Sequence, residues 1–241
     1  MWFYLLVLAA VAAEPAPLAA PLAAPLASTE ANAPLESPSA PETQGEAVST
    51  PQPAPPKATP LSPAEVKLLD ARGWQQRVGD GLGVWVSIPR QRFYIVQGGQ
   101  CLWTVPCATA TNGPGNREGT QRTPTGWHKV AEKFGEGAKW GQVFRSRQAT
   151  KEVWTPGMDT KEDLVLTRIL WLEGLEPGRN QGRAEDGANV DSRKRYIYIH
   201  GTNGEDKIGQ PSSHGCIRLR NDDVITAFEA IATGTPILIT E

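Results

Sequence analysis

Two of the chain's three histidines and one of its three cysteines fall between His200 and Cys216. A thiol becomes a useful nucleophile when a neighbouring base takes its proton or an adjacent cation lowers its pKa, and imidazole suits that task near neutral pH. Cys216 and His200 are therefore the candidate nucleophile and base. The base needs an acceptor to fix its tautomer; no Asp or Glu stands beside His200, which leaves the backbone carbonyl of Gly201 as the holder. Gly215 removes a side chain where an acyl group must approach. The backbone N–H groups of His214, Gly215 and Cys216 are candidate oxyanion donors, each worth about 3 kcal/mol in comparable sites. Two other readings use the same residues. His200, His214 and Cys216 match an open zinc site in number, although a His and a Cys two apart on a tight turn lack the usual ligand spacing. A module that only binds needs no thiol and imidazole together. Thiol-based acyl chemistry is the better fit, with no metal ligand and no cofactor expected.

Those residues need a scaffold that brings them together. A strand over 196–200 delivers His200 to its end, and a loop containing Gly and Pro returns the chain to Cys216. Upstream, Val84, Val86 and Ile88, then Phe93 and Ile95, then Cys101, Trp103 and Val105 recur at period two, with Gly98-Gly99 as a hairpin turn. This pattern predicts a meander of strands. The glycine-rich stretch 110–126, with Pro114 and Pro124, predicts a long loop of the kind that is commonly functional. Further strands are predicted at 127–131, 143–145, 164–172 and 235–240. Asn221 or Asp222 caps a predicted helix to about Ala232, with Val224, Ile225, Phe228 and Ile231 on one stripe. The fold class read from this is mainly β, a barrel or sandwich with a few short helices.

Composition divides the chain. None of its 24 Lys and Arg residues precedes Lys57, whereas prolines crowd the stretch from Pro15 to Pro56. Residues 1–13 are apolar, too few to span a bilayer, and suit an export signal or an anchor. Residues 14–61, with three Ala-Pro-Leu-Ala units, form a Pro/Ala-rich linker expected to lack a core. Order is expected from Ser62, where Ser62-Pro63-Ala64-Glu65 has the form of a capping box, giving a helical lead-in over 62–82 and a main domain over 83–241. A net charge of -2 gives no general drive towards nucleic acid or anionic lipid. Three cysteines exclude a full disulfide framework. Cys101 and Cys107 are expected on one face of one strand, about 20 Å apart and unable to bridge, as buried apolar residues. Trp140, Trp154 and Trp171 are groove or packing residues, and Arg117, Arg122 and Arg193 are carboxylate partners or solvated charges. His128 reads as ordinary surface or core.

The run Ser213-His-Gly-Cys216-Ile-Arg218, with His200 sixteen residues ahead of the cysteine, resembles the signature of the YkuD-like L,D-transpeptidase catalytic domain. The resemblance extends to Arg92–Val96, Gly115–Gly119, Thr123–Gly126 and Asn221–Asp223. It implies a cysteine that attacks an L,D peptide bond of a peptidoglycan stem peptide, a histidine base, and a backbone holder, here Cys216, His200 and Gly201. It further implies Ser213 and His214 shaping the substrate pocket, Arg218 contacting substrate or supporting the loop, and reaction with carbapenems; separately, the chain is expected to be an exported monomer. The acceptor for the acyl group is an amine on a second stem, an amine of a wall-anchored protein, or water.

Overall fold

The chain is described by a computed structural model over residues 58–241; the apolar leader and the linker up to residue 57 lie outside the described residues. Helix α1 (Pro63–Ala71) begins as its sequence predicts, with Ser62 as N-cap and Glu65 accepting from the Ser62 N–H at 2.8 Å. Such a cap is worth about 1 kcal/mol. Order starts slightly ahead of Ser62, because β1 (Thr59–Pro60) pairs with Cys101 and Gln100 and the following Leu61 is buried. A short α2 (Trp74–Arg77) completes the lead-in.

The expected meander forms from β2 (Leu82–Ser87), β3 (Arg92–Gln97) and β4 (Gln100–Pro106), joined between the last two by Gly98-Gly99. Then come β5 (Gly126–Phe134), β6 (Gln142–Arg145), β7 (Gln148–Val153), β8 (Val165–Gly174), β9 (Tyr198–Gly201), β10 (Ile217–Leu219), α3 (Asn221–Ala230) and β11 (Pro236–Thr240). The described strands make one 11-stranded mixed sheet in the order β1-β4-β3-β2-β11-β5-β8-β6-β7, with β9 branching from β8 and β10 pairing β9. The fold is mainly β with few helices.

Alternation along β2 explains how both faces of the sheet centre are covered. Val84 and Val86 enter a core with Leu170, Ile199, Ile217, Ile237 and the α3 residues Val224, Ala227 and Phe228. Trp85 points the other way, into a second cluster with Tyr94, Leu238 and the lead-in residues Leu69 and Trp74. Each fully buried Leu, Ile or Val contributes about 1.5–3 kcal/mol of transfer free energy. The first core is the one that anchors β9, β10 and α3, the elements around Cys216.

Three expectations need correction. Cys101 and Cys107 do not share a face: the register slips between Ile95/Trp103 and Val96/Cys101, leaving Leu102 as an extra residue on β4. One extra residue exchanges faces, so Cys101 packs on the Trp85 cluster and Cys107 in the main core. Asn221 does not cap α3; Arg220 is the N-cap residue, without a side-chain cap bond, and Asn221 is engaged elsewhere. Strand β7 was absent from the pattern because Gln-Ala-Thr-Lys-Glu-Val has no apolar alternation, as suits a half-exposed strand at the sheet's end.

Candidate active site

Strands β9 and β10 are parallel neighbours, with Ile199 opposite Ile217 and His200 opposite Arg218. A 16-residue interval in sequence thus becomes two adjacent strands, and Cys216, just ahead of β10, falls beside Tyr198. Its sulfur accepts from the Tyr198 N–H at 3.4 Å, and its S–H points to the Tyr196 carbonyl at 3.4 Å. His200 is buried, with Nδ1 2.7 Å from the Gly201 carbonyl. Since a carbonyl can only accept, Nδ1 carries the hydrogen and Nε2 keeps its lone pair. The Gly201 carbonyl is thus the acceptor for His200 Nδ1.

Electrostatics leave the resting pair neutral. Burial pushes the Cys216 thiol up to about 11, against the Tyr198 N–H and the Arg218 and Arg195 cations, which pull it down. Burial brings His200 down to about 4, only partly offset by the bond to Gly201. Both shifts favour the uncharged forms near neutral pH.

The turn before Cys216 is held from within. Gly215 has φ 138°, and a Cβ there would sit 3.3 Å from the Arg122 carbonyl, so glycine is required by conformation as well as by space. Ser213 Oγ donates to the Cys216 carbonyl at 2.6 Å and accepts from the Gly215 N–H at 3.1 Å. Of the three expected oxyanion donors, Gly215 is thus engaged in the resting turn. Ser213, expected to shape the pocket, and Arg218, expected to contact substrate or support the loop, are 1% and 6% exposed. Arg218 donates to the Ser212 carbonyl at 2.9 Å and pairs with Asp163, so both residues brace the loop.

Sequence reasoning missed Asp163. Its Oδ2 meets both Arg218 and the exposed His214, whose Nδ1 is 3.2 Å away, tying the nucleophile turn to the loop before β8. Nothing near residue 163 in sequence signals this. Asp163→Asn is expected to cost about 2 kcal/mol in denaturant unfolding, below the 3–5 for a fully buried pair because the carboxylate is 39% exposed. An unchanged midpoint and unchanged acylation rate would remove Asp163 from the site.

A second support lies behind His200. Asn221 donates to the Thr202 carbonyl at 2.9 Å and to Glu205 at 2.7 Å, and accepts from the Thr167 hydroxyl at 2.6 Å. A Cβ on Gly201 would come within 2.4 Å of Asn221 Oδ1, so the backbone that holds His200 passes close against this amide. Thr167 lies where the β8–β9 register shifts between Leu166 and Ile169, at φ 69°. A β-branched residue rarely adopts that conformation, and such bulges re-aim side chains beside functional sites. The Asn221-Asp-Asp223 run was visible in sequence, but its local pattern looked like a helix cap.

Other candidates sort into packing and surface. His128 is fully buried between the Gly126 carbonyl and Ser192. Trp140 stacks on Trp154, while Trp171 lies against Tyr196 and Tyr198. Arg117 pairs with Asp186 and Arg193 with Glu132. Among the described residues no group of three His, Cys, Asp or Glu side chains converges to hold a metal ion.

Fold and site together define a mainly β domain that presents a cysteine beside a histidine-bearing parallel strand. The family model for the YkuD L,D-transpeptidase catalytic domain matches residues 82–239, and the chain belongs to this family. Among curated relatives, YqjB of Bacillus subtilis is 41% identical over 71 residues, 29% of this chain and 40% of that protein. YcfS of Escherichia coli is 49% identical over 94 residues, 39% of this chain and 29% of that protein. Both carry the L,D-transpeptidase name, and the matches span less than half of their length. L,D-transpeptidase 3 of Mycobacterium tuberculosis, solved with a faropenem-derived adduct, is 17% identical with a TM-score of 0.41, over 67% of this chain and 61% of that one.

Proposed function

We propose that this chain is an exported peptidoglycan L,D-transpeptidase that works through a thioester on Cys216. The observation that carries the reading is the Cys216 thiol set beside a strand whose His200 has its Nδ1 fixed by Gly201. In the first half-reaction His200 Nε2 takes the thiol proton as sulfur attacks the carbonyl before the terminal D-alanine of a tetrapeptide stem. The N–H groups of His214 and Cys216 receive the oxyanion, with that of Gly215 bonded to Ser213 in the resting state. As the tetrahedral adduct collapses, the C–N bond breaks, the imidazolium gives its proton to the leaving amine, and D-alanine departs. In the second half an amine attacks the thioester, His200 takes its proton, the C–S bond breaks, and the imidazolium returns that proton to the sulfur.

An amine on a second stem gives a 3-3 crosslink, an amine of a wall-anchored protein gives attachment, and water gives L,D-carboxypeptidase trimming. The chain acts as a monomer without metal or organic cofactor, and the leader and Pro/Ala-rich linker give export and reach. Incubation with defined tetrapeptide muropeptides tests this: mass spectrometry is expected to show D-alanine release with a crosslinked dimer or a tripeptide. Muropeptides recovered intact with correctly folded protein would end the proposal.

A further inference from the structure

The acyl chemistry above leaves unused a cation on the β6–β7 hairpin. Arg145 pairs with Gln148 across a two-residue turn made by Ser146 and Arg147, at φ 50° and 69°. Turns of this kind favour Asn and Gly, because a Cβ is disfavoured in the left-handed region. An arginine there is unexplained by the turn, and strained backbone tends to collect at functional sites.

The Arg147 guanidinium lies 4.4 Å from the centre of the Trp171 ring and 5.5 Å from that of Tyr196, and donates to the Tyr198 hydroxyl at 3.1 Å. Arg193 also stacks on Trp171, at 4.5 Å, but it is paired with Glu132 and Glu173. Among the described residues Arg147 makes no ion pair. Tyr196 and Tyr198, which position it, are the residues whose backbone groups flank the Cys216 sulfur. Tyr196 is 55% exposed, so this shelf opens to solvent beside the nucleophile.

Building on the proposed function, we infer that Arg147 is a specificity-determining residue that receives the free C-terminal carboxylate of the donor stem peptide. That carboxylate lies one residue beyond the carbonyl Cys216 attacks, and an extended residue spans about 3.5 Å. Tyr198 meets the sulfur at its N–H and Arg147 at its hydroxyl, and the leaving residue, its carboxylate and an ion pair must together span that one tyrosine. One guanidinium nitrogen is held by Tyr198, the ring of Trp171 lies under its plane, and the remaining N–H groups form the fork that matches a carboxylate. The consequence is selection for stems that end in a free acid.

The test compares a tetrapeptide donor with the same donor carrying a C-terminal carboxamide. Wild-type protein is expected to favour the acid at least tenfold in kcat/KM, and Arg147→Gly to bring that ratio near one. Glycine suits the left-handed turn, so the Gly variant is expected to melt no lower than wild type; Arg147→Asn, which also tolerates the turn, serves as the second variant. Arg147→Lys, which keeps the charge and loses the fork, is expected to fall between. An acid preference that survives in the Gly and Asn variants, or none in wild type, overturns the inference alone. Wild-type protein that turns over neither donor overturns the proposed function and this inference with it.

Discussion

Cys216→Ser protein incubated with a carbapenem is expected to keep its own mass, while wild-type protein gains one adduct that maps to Cys216. The expectation follows from the placement of the three thiols. Burial pushes Cys107 up to about 12 inside the main core, and Cys101 is raised as well, packed against the Trp85 cluster. Only Cys216, just ahead of β10, stands next to a strand paired with one that bears a histidine. Removing a nucleophile or its base in such a unit lowers turnover by roughly 10⁴-fold or more, so His200→Ala is expected to suppress the adduct about as fully as Cys216→Ser. Both variants should retain the wild-type unfolding midpoint to within about 1–2 kcal/mol, since the sheet does not depend on the proton relay. For wild type, the rate should fall as pH drops towards about 4, where His200 takes up a proton and ceases to be a base. An adduct on Cys101 or Cys107, or a full adduct in the His200→Ala protein, contradicts the assignment.

Acid should weaken the fold by several kcal/mol between about pH 6.5 and pH 4. His128 and His200 are both buried and both held down to about 4, against 6.5 for a free imidazole. Between pH 6.5 and 4 the unfolded chain therefore binds protons that the folded protein refuses. Stability is full above about pH 6.5 and declines as the pH falls through this window, by about 3 kcal/mol for each histidine. Asp223 acts in the opposite sense. Burial raises it to about 6, so acidification favours its folded state, but the group is half exposed and its opposing effect is discounted to about 1 kcal/mol. Urea unfolding at pH 7 and pH 4.5 should show the fall, and His128→Asn, which preserves a donor to the Gly126 carbonyl, should flatten it by one proton while lowering stability at pH 7. Equal free energies at the two pH values would mean that the two imidazoles are hydrated in solution.

What was legible in the sequence was local. The Ser62–Glu65 box, the Gly98-Gly99 hairpin and the period-two runs depend on residues within a few positions of each other, and the structure reproduces them. His200, Gly201 and Cys216 were legible for a related reason: one strand, one loop and one turn join them, so residue type and spacing carried the chemistry. The same local reading misassigned Asn221 as a cap, because side-chain direction and burial are settled by neighbours far along the chain.

The sequence by itself supplied the candidate groups, since the thiol of Cys216 and the imidazole of His200 stand sixteen residues apart in a run of recognisable type and spacing. Tertiary structure decided the rest. The parallel pairing of β9 with β10 set sulfur beside the histidine strand, and burial there left both groups neutral. Asp163 meets Arg218 across 55 positions, and Arg147 meets Tyr198 across 51. Contacts at that separation depend on which strands pair and on a bulge that turns one residue to the other face. Those choices are made by the packing of the whole core, which no short window of sequence contains.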